Sequence, residues 1–129
     1  MNLPNSFAAI AVQTAYNECE EWLDQLLEYL KGNLEFLKYF IKTKIPEVKV
    51  IDPEGTYLVW LDFREIEPDP EKIQNFLLKE AKVAFNIGNV FRTGGAGFER
   101  VNIACPRATL NTALNQVAVA LRNYRNGVD

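Results

Sequence analysis

The chain has no histidine and only two cysteines, Cys19 and Cys105, among its 129 residues. Without histidine the sequence excludes imidazole catalysis, a Ser-His-Asp triad and any His-based metal site. Neither cysteine has a CxxC partner, so no zinc or redox motif is present and the sequence predicts two reduced thiols. We therefore expect no metal site in this chain.

Long apolar runs and a targeting segment are missing as well. No stretch approaches the ~18 consecutive apolar residues that a membrane-spanning helix needs. Residues 1–6 lack the basic region that opens a signal peptide. We expect a cytoplasmic protein with no membrane partner.

The composition is that of an ordinary folded domain. Hydrophobic residues make up 48% of the chain and charged residues 24%, a balance that is not typical of disordered chains. The 14 basic and 17 acidic residues give a formal net charge of −3. Because nucleic-acid-binding domains present a basic surface, we expect no nucleic-acid partner. The length suits one domain around one core.

Hydrophobic periodicity predicts helices at both ends of the chain, with most of the strands between them. Asn5 or Ser6 can cap a first helix that begins at Phe7, and an amphipathic helix of about 25 residues follows and ends before Pro46. The later predicted elements are strands at 48–50 and 56–63, a helix that opens at Pro70, strands at 83–85 and 100–104, and a helix from Thr109 or Asn111. This order predicts an α+β fold, in which a small, mostly antiparallel sheet has helices packed on one side and is preceded by the long helix.

Three local patterns have both a functional and a structural interpretation. The glycine-rich residues 94–97 are followed neither by Lys-Ser or Lys-Thr nor by a helix, so they predict a turn rather than a nucleotide-binding loop. The acidic residues at 18–24 point in different directions on a helix and predict a solvated helix start. Asp62 and Glu65 could form an acid/base pair, but the sequence shows nothing that would desolvate them.

Arg100 is the most informative cation. It opens the predicted strand at 100–104, in which Val101 and Ile103 are apolar, so Arg100 and Asn102 share the other face. A guanidinium beside an asparagine at a strand end is well placed to bind a carboxylate through paired N–H donors. An ordinary surface arginine would show the same pattern, and the spacing by itself leaves both interpretations open.

Residues 97–107, Gly-Phe-Glu-Arg-Val-Asn-Ile-Ala-Cys-Pro-Arg, resemble the C-terminal signature of pyridoxal-phosphate enzymes of fold type I. Three further segments agree with this family in the same order: the helical region at 5–24, the Pro-Glu-Gly-Thr-Tyr strand at 53–62 and residues 83–86. Within the family, the chain is most similar to class I/II aminotransferases that resemble C-S lyases of the cystathionine β-lyase (MalY/PatB) type. The resemblance spans nearly the whole chain but only the C-terminal third of such an enzyme.

The resemblance implies the small C-terminal domain of an aminotransferase or C-S β-lyase that acts on an amino acid. Residues 1–18 would begin the interdomain helix region, and residues 19–129 would form the small domain. The large domain, with the lysine that forms the Schiff base, would lie outside this chain. We therefore expect pyridoxal phosphate in the intact parent enzyme, and an inactive fragment that binds none of it alone.

The resemblance also implies roles for individual residues. In this family the small domain supplies an arginine for the substrate α-carboxylate, and Arg100 matches that position. Substrate-binding positions are also expected at Asn102 and Tyr57, while Asn102 and Arg107 are expected to shape the strand end. No catalytic or cofactor-binding residue is expected in this chain.

The expected partners are the amino-acid substrate, the missing large domain and a second copy of the chain. Self-association is expected because an excised domain exposes its former interface, and large apolar patches rarely stay uncovered. The residues expected in this patch are Phe7, Ile10, Tyr16 and Trp22. Sedimentation that shows a strict monomer at high concentration would contradict this expectation.

The chain departs from the family pattern at two positions beside the expected substrate entrance. Ile87 replaces the aspartate of the usual Leu-Asn-Asp-Gly, and Arg92 replaces a usual glycine. The substrate, and the choice between transamination and β-elimination, therefore stay open. Two other functions also stay open: a free-standing small-ligand-binding or regulatory module that holds a carboxylate at Arg100, and a complete small enzyme that uses Asp62 and Glu65.

Overall fold

The computed structural model describes residues 5–127 and confirms the predicted α+β class. Contacts divide the chain into two compact units that meet in sequence between Gly32 and Asn33. The helices are α1 (Ser6–Glu18), α2 (Glu20–Lys44), α3 (Pro70–Lys79) and α4 (Arg107–Arg125). The strands are β1 (Lys49–Ile51), β2 (Leu58–Asp62), β3 (Asn86–Ile87) and β4 (Phe98–Asn102), and a short 3₁₀ turn, Gly88–Phe91, follows β3.

The first unit is helical, and its first helix begins where the sequence predicts. The Oδ1 atom of Asn5 accepts a hydrogen bond from the backbone N–H of Ala8 at 2.8 Å, so Asn5 is the N-cap of α1. No residue of α1 is buried. The apolar side chains expected in the exposed patch are open to solvent: Phe7 is 85% exposed, Ile10 61%, Tyr16 86% and Trp22 64%. The self-association expected from them stays a prediction.

Helix α2 has 25 residues, which confirms the predicted length. Two glutamates lie in its first turn and two lysines in its last turn, where each sign of charge opposes the partial charge of the helix end. In the second unit α2 buries the apolar residues Leu37, Phe40 and Ile41 together with the polar Asn33. Among residues 5–127 no helix is both long and apolar enough to cross a bilayer.

The four strands form one antiparallel sheet in the order β1-β2-β4-β3. Strands β2 and β4 are the central pair, in which Val59 lies opposite Val101 and Trp60 lies opposite Arg100. Strand β3 pairs with the other side of β4 and places Asn86 opposite Arg100. Arg100 is therefore flanked by a paired strand on each side.

Burial distinguishes the two faces of the sheet. Val59, Leu61 and Val101 are at most 3% exposed and alternate with residues that are less buried. The helices supply most of the other large buried side chains of the core: Leu37, Ile41, Ile73, Leu77, Leu110, Leu114, Val117 and Leu121. We call this side the covered face, and the side that carries Trp60 and Arg100 the open face.

Three predicted element positions are wrong. The strand predicted at 100–104 is β4, Phe98–Asn102, so Arg100 lies in the middle of the strand rather than at its start. Residues 83–85 form no strand, because pairing with β4 begins only at β3, directly after them. The last helix begins at Arg107, with Pro106 as its N-cap, and not at Thr109 or Asn111. Arg107 therefore lies in the first turn of α4.

Candidate functional site

The open face carries Arg100 at its centre, packed against aromatic rings. The Cζ atom of Arg100 lies 4.2 Å from the ring centroid of Phe91 and 5.9 Å from that of Trp60. Trp60 reaches the same face because it is the cross-strand partner of Arg100 on β2. Phe91 reaches it from the 3₁₀ turn that follows β3. A cation over the face of an aromatic ring is attracted by the electron density of the ring.

The charge of Arg100 has no counter-ion among the residues that the structure describes. Its Nε atom is buried and has no hydrogen-bond partner within the same residues. A guanidinium stays protonated in proteins and carries five N–H donors in a planar fork that matches a carboxylate. The arrangement therefore offers a preformed position for one anion.

A second arginine lies on the same aromatic cluster but is paired with a carboxylate. The Cζ atom of Arg64 lies 4.6 Å from the ring centroid of Phe98. Its Nε and Nη2 atoms donate hydrogen bonds to the two carboxylate oxygens of Asp62 at 2.9 and 2.8 Å. The rings of Phe91 and Phe98 both meet the indole of Trp60 edge to face, at centroid distances of 5.2 and 6.5 Å.

Two clefts of about the same size open beside this cluster. One, of about 410 Å³, is lined by Arg100, Trp60, Leu58 and the turn at 51–56. The other, of about 390 Å³, has mostly apolar walls that include Trp60, Phe91 and Phe98. Both are lined by Ile51 and Trp60, so they adjoin each other. A small molecule bound to Arg100 would have room in the first cleft.

Asn102 and Tyr57, the other two predicted substrate-binding residues, are placed differently from Arg100. Asn102 shares the open face with Arg100, but its Oδ1 atom accepts a hydrogen bond from the backbone N–H of Ala104 at 2.8 Å. Tyr57 lies just before β2 and two residues before the buried Val59, so strand alternation places both side chains on the same side. The backbone carbonyl of Tyr57 accepts a hydrogen bond from the backbone N–H of Ile103 at 2.9 Å. The alternation places Tyr57 opposite to Arg100 rather than beside it, and its side chain is 46% exposed.

Asn33 is a structural residue of the site that the sequence analysis missed. It is fully buried, and its Nδ2 atom donates to the carbonyls of Ile103 and Cys105, both at 2.9 Å. Its Oδ1 atom accepts a hydrogen bond from Nε of Arg107 at 3.0 Å. This side chain fixes the backbone directly after β4. One signal could have found it, because Asn33 shares the 3.6-residue spacing of the buried Leu37 and Ile41.

Glu99 is the one acidic residue of β4 and lies on the covered face. It is 2% exposed, and its cross-strand partners are Leu61 and Ile87. Burial raises the pKa of the Glu99 carboxyl to about 7 because the charged form is poorly solvated there. The carboxyl points away from Arg100 and is not a counter-ion for it.

Asp62 and Glu65, the pair considered for acid/base chemistry, are each bound to a cation. Asp62 holds Arg64, whose hydrogen bonds keep the pKa of the Asp62 carboxyl below its usual value. Glu65 forms an ion pair with Lys49. An acid/base pair would need one carboxyl with a raised pKa and access to substrate. The structure therefore does not support the complete small enzyme.

The described residues do not fit pyridoxal phosphate by themselves. Covalent chemistry with this cofactor needs a lysine amine at the site. No lysine lines either cleft beside Arg100 within residues 5–127, whereas Lys72 and Lys82 each line a cavity elsewhere. The same part of the chain holds no group of three or more metal-ligating side chains.

No protein-family model matches the chain, but individual proteins do. Cystathionine β-lyase PatB of Bacillus subtilis is 37% identical over 117 residues, which are 91% of this chain and 30% of that protein. Protein MalY of Escherichia coli is 34% identical over 125 residues, which are 97% of this chain and 32% of that protein. The chain thus spans about a third of the length of these relatives.

A solved structure gives the same match in three dimensions. Cystalysin from Treponema denticola, whose crystal structure contains pyridoxal 5′-phosphate, superposes with a TM-score of 0.90 and 33% sequence identity. The match covers 95% of this chain and 32% of cystalysin. The fold described above is therefore the fold of one part of that protein.

Proposed function

The chain is homologous to about a third of the MalY/PatB-type cystathionine β-lyases and of related aminotransferases, and from this we propose its function. It is the C-terminal domain of a pyridoxal-phosphate-dependent C-S β-lyase or aminotransferase that acts on an amino acid. Within that enzyme Arg100 binds the α-carboxylate of the substrate. The cofactor and its lysine belong to polypeptide outside this chain.

The position of Arg100 is the observation that carries this proposal. Its guanidinium lies on the open face, beside a cleft of about 410 Å³, with no counter-ion among residues 5–127. A carboxylate in this cleft can accept two parallel N–H bonds from the guanidinium, which fixes both the distance and the plane of the carboxylate. Arg100 thereby orients the substrate, and the choice of reaction lies with groups elsewhere.

Asn102 and Tyr57 have lesser roles in the proposal. The hydrogen bond from Ala104 N–H to Asn102 supports a role in fixing the end of β4 two residues after Arg100. Tyr57 is proposed only as a substrate contact outside the first cleft, since its ring is exposed but lies on the side of the sheet opposite to Arg100.

The partners of the intact protein are also proposed. The exposed apolar patch of the first unit, defined above by Phe7, Ile10, Tyr16 and Trp22, would pack against the rest of the polypeptide or a second copy. Burial of this patch would remove several large apolar side chains from water, which is favourable at about 25 cal/mol per Å².

The proposal is tested by Arg100→Ala in the full-length protein loaded with pyridoxal phosphate. Pyruvate release from L-cystathionine and amino-group transfer to 2-oxoglutarate are measured in parallel, because the reaction type is open. We expect the KM for the amino acid to rise about 100-fold, since the variant loses a charge-assisted, paired contact. Arg64→Ala is the matched control, and it should change KM less than about threefold because Arg64 is held by Asp62.

Two results would overturn the proposal. An unchanged KM in Arg100→Ala would remove the carboxylate-binding role. Alternatively, the holoprotein could catalyse neither reaction while the 129-residue chain binds L-methionine in an Arg100-dependent way. That pair of results would favour the free-standing binding module.

A further inference from the structure

We propose that Phe91 is a positioning residue for Arg100: it holds the guanidinium in the orientation that receives the substrate carboxylate. This inference rests on the proposed function, because it assumes that Arg100 binds that carboxylate. It concerns the loop between β3 and β4, whose contribution to the site is not evident from the signature residues.

The first step is that few other contacts fix the Arg100 side chain. An arginine side chain has several rotatable bonds and is usually immobilised by an ion pair or by hydrogen bonds. Among residues 5–127 Arg100 has no ion pair, and its buried Nε has no hydrogen-bond partner. The cation–ring contacts of Arg100 are with Phe91 and Trp60, and Phe91 is the nearer, at 4.2 Å against 5.9 Å for Trp60.

The second step is that a ring contact leaves the donors of Arg100 free. The contact with Phe91 places the cation over the ring and involves no hydrogen-bond acceptor, whereas a carboxylate binds the N–H groups of the guanidinium. Asp62 shows the opposite case, since it occupies the N–H groups of Arg64. Phe91 can therefore order Arg100 without competing with the substrate.

The third step is that Phe91 is itself held in place. Its ring meets the indole of Trp60 at 90° and a centroid distance of 5.2 Å. The loop that carries it is closed at its base by Gly88 and Gly95, whose backbones lie so close that a Cβ on either would overlap backbone atoms of the other. Only glycine permits this approach. The hydrogen bond from Gly95 N–H to the Arg92 carbonyl, at 3.2 Å, tightens the loop further.

The experiment uses the full-length holoprotein with Phe91→Leu, which keeps an apolar side chain but removes the ring. Phe91→Tyr is the conservative rescue, and Val90→Ala is the matched control because Val90 is 68% exposed and lines neither cleft. Each change is made in the wild type and in Arg100→Ala. Two readouts are taken: KM and kcat for L-cystathionine or the better amino acid, and the Kd for α-methyl-L-methionine by calorimetry. The latter compound has an α-carboxylate but no α-hydrogen.

We expect Phe91→Leu to raise KM and Kd about tenfold with kcat within about twofold, because an ordered cation is lost and no reacting group is touched. Phe91→Tyr and Val90→Ala should stay within about twofold of the wild type. In the Arg100→Ala background Phe91→Leu should add less than about twofold, because its effect passes through Arg100.

Failure of the inference and failure of the proposed function give different results. A tenfold effect of Phe91→Leu that persists in the Arg100→Ala background would overturn the positioning role, as would no effect in the wild type. In both cases the large effect of Arg100→Ala would stand. If Arg100→Ala itself had no effect on Kd or KM, the proposed function would fall and the role of Phe91 would fall with it.

Discussion

Glu99 and Arg100 are neighbours on β4, yet they lie on opposite faces of the sheet and differ in every property that matters for function. Glu99 is 2% exposed on the covered face, whereas Arg100 lies on the open face beside a cleft. Within residues 5–127 neither has an ion-pair partner. One strand therefore carries two unpaired ionisable side chains in two different environments.

The difference shows how a protein can retain an unpaired charge. A buried carboxyl can take up a proton, and the pKa of Glu99 is accordingly raised to about 7. A guanidinium does not lose its proton in proteins, so an unpaired arginine cannot be relieved in this way. Protonation lowers the cost of burying the unpaired Glu99 carboxyl, whereas the unpaired guanidinium of Arg100 is available to bind an anion.

The largest stability effect that this comparison predicts is that of Glu99→Gln. The pKa of Glu99 is raised in the folded state, so folding favours the protonated form, and stability falls as pH rises from about 4.5 towards 7. Glutamine removes the charge and keeps the shape. We expect Glu99→Gln to stabilise the 129-residue chain by about 2 kcal/mol at pH 8 and by little at pH 5, measured by urea unfolding.

The control for this experiment is Glu54→Gln, which changes an exposed carboxylate in the turn before β2. Its unfolding free energy should stay within about 0.5 kcal/mol of the wild type at both pH values. A Glu99→Gln variant that is destabilised at pH 8 would show that the carboxylate has a partner in solution. The contrast between the two faces would then be lost.

The covered face was predictable from the sequence because it follows local periodicity. The alternation of apolar residues in β2 and β4 and the spacing in α2 each reflect burial on one side. The starts of α1 and α3 were predictable for a similar reason, since their N-caps Asn5 and Asp69 accept hydrogen bonds from backbone N–H groups two or three positions away. These contacts are encoded within a few residues of sequence.

The open face was only partly predictable. Alternation with Val101 places Arg100 on it, but the ring of Phe91 meets Arg100 through the loop closed by Gly88 and Gly95, a contact that no local pattern specifies. Strand β3 was misplaced because two residues are too few to show a period. Asn33 was missed because its partners lie at least 70 positions away in sequence.

The loop beside Arg100 gives the next prediction. Arg92 has φ 75° and ψ −154°, a backbone region that is almost restricted to glycine, so it holds strain of about 1–3 kcal/mol. Arg92→Gly relieves this strain, while glycine gains conformational freedom in the unfolded chain. We expect a net stabilisation of about 1 kcal/mol in urea unfolding of the 129-residue chain.

Val90→Gly is the matched control for the loop, because Val90 has no positive φ. Glycine there should destabilise the chain by about 0.5–1 kcal/mol, through the entropy of the unfolded state alone. If both glycine variants lose stability, Arg92 is not strained.

The smallest effect is expected at Arg64, the open-face arginine that has a counter-ion. Arg64→Gln removes the ion pair with Asp62, and because the Arg64 side chain is 57% exposed we expect only a small loss of stability at pH 7. Arg64 lowers the pKa of Asp62 in the folded state, so this contribution is present above the ordinary pKa of an aspartate and is lost as pH falls through the lowered value.

The pH dependence of stability distinguishes the Arg64 variant from the Glu99 variant. Acidification removes the stability that the Arg64–Asp62 pair contributes, but it lowers the cost of burying the Glu99 carboxyl. Arg64→Gln should reduce stability at pH 7 and lose its effect on acidification, whereas the stabilisation in Glu99→Gln should develop as pH rises from about 4.5 to about 7 and stay constant above that. Lys49→Gln, which breaks the exposed pair with Glu65, is the control for a surface ion pair and should cost no more than Arg64→Gln. A large loss of stability in Arg64→Gln would mean that Arg64 alone compensates the charge of the Asp62 carboxylate, whose side chain is 10% exposed. Arg64 would then be as important for stability as a core residue such as Glu99. The open face could no longer be described as a solvated surface on which Arg100 is available to bind a ligand.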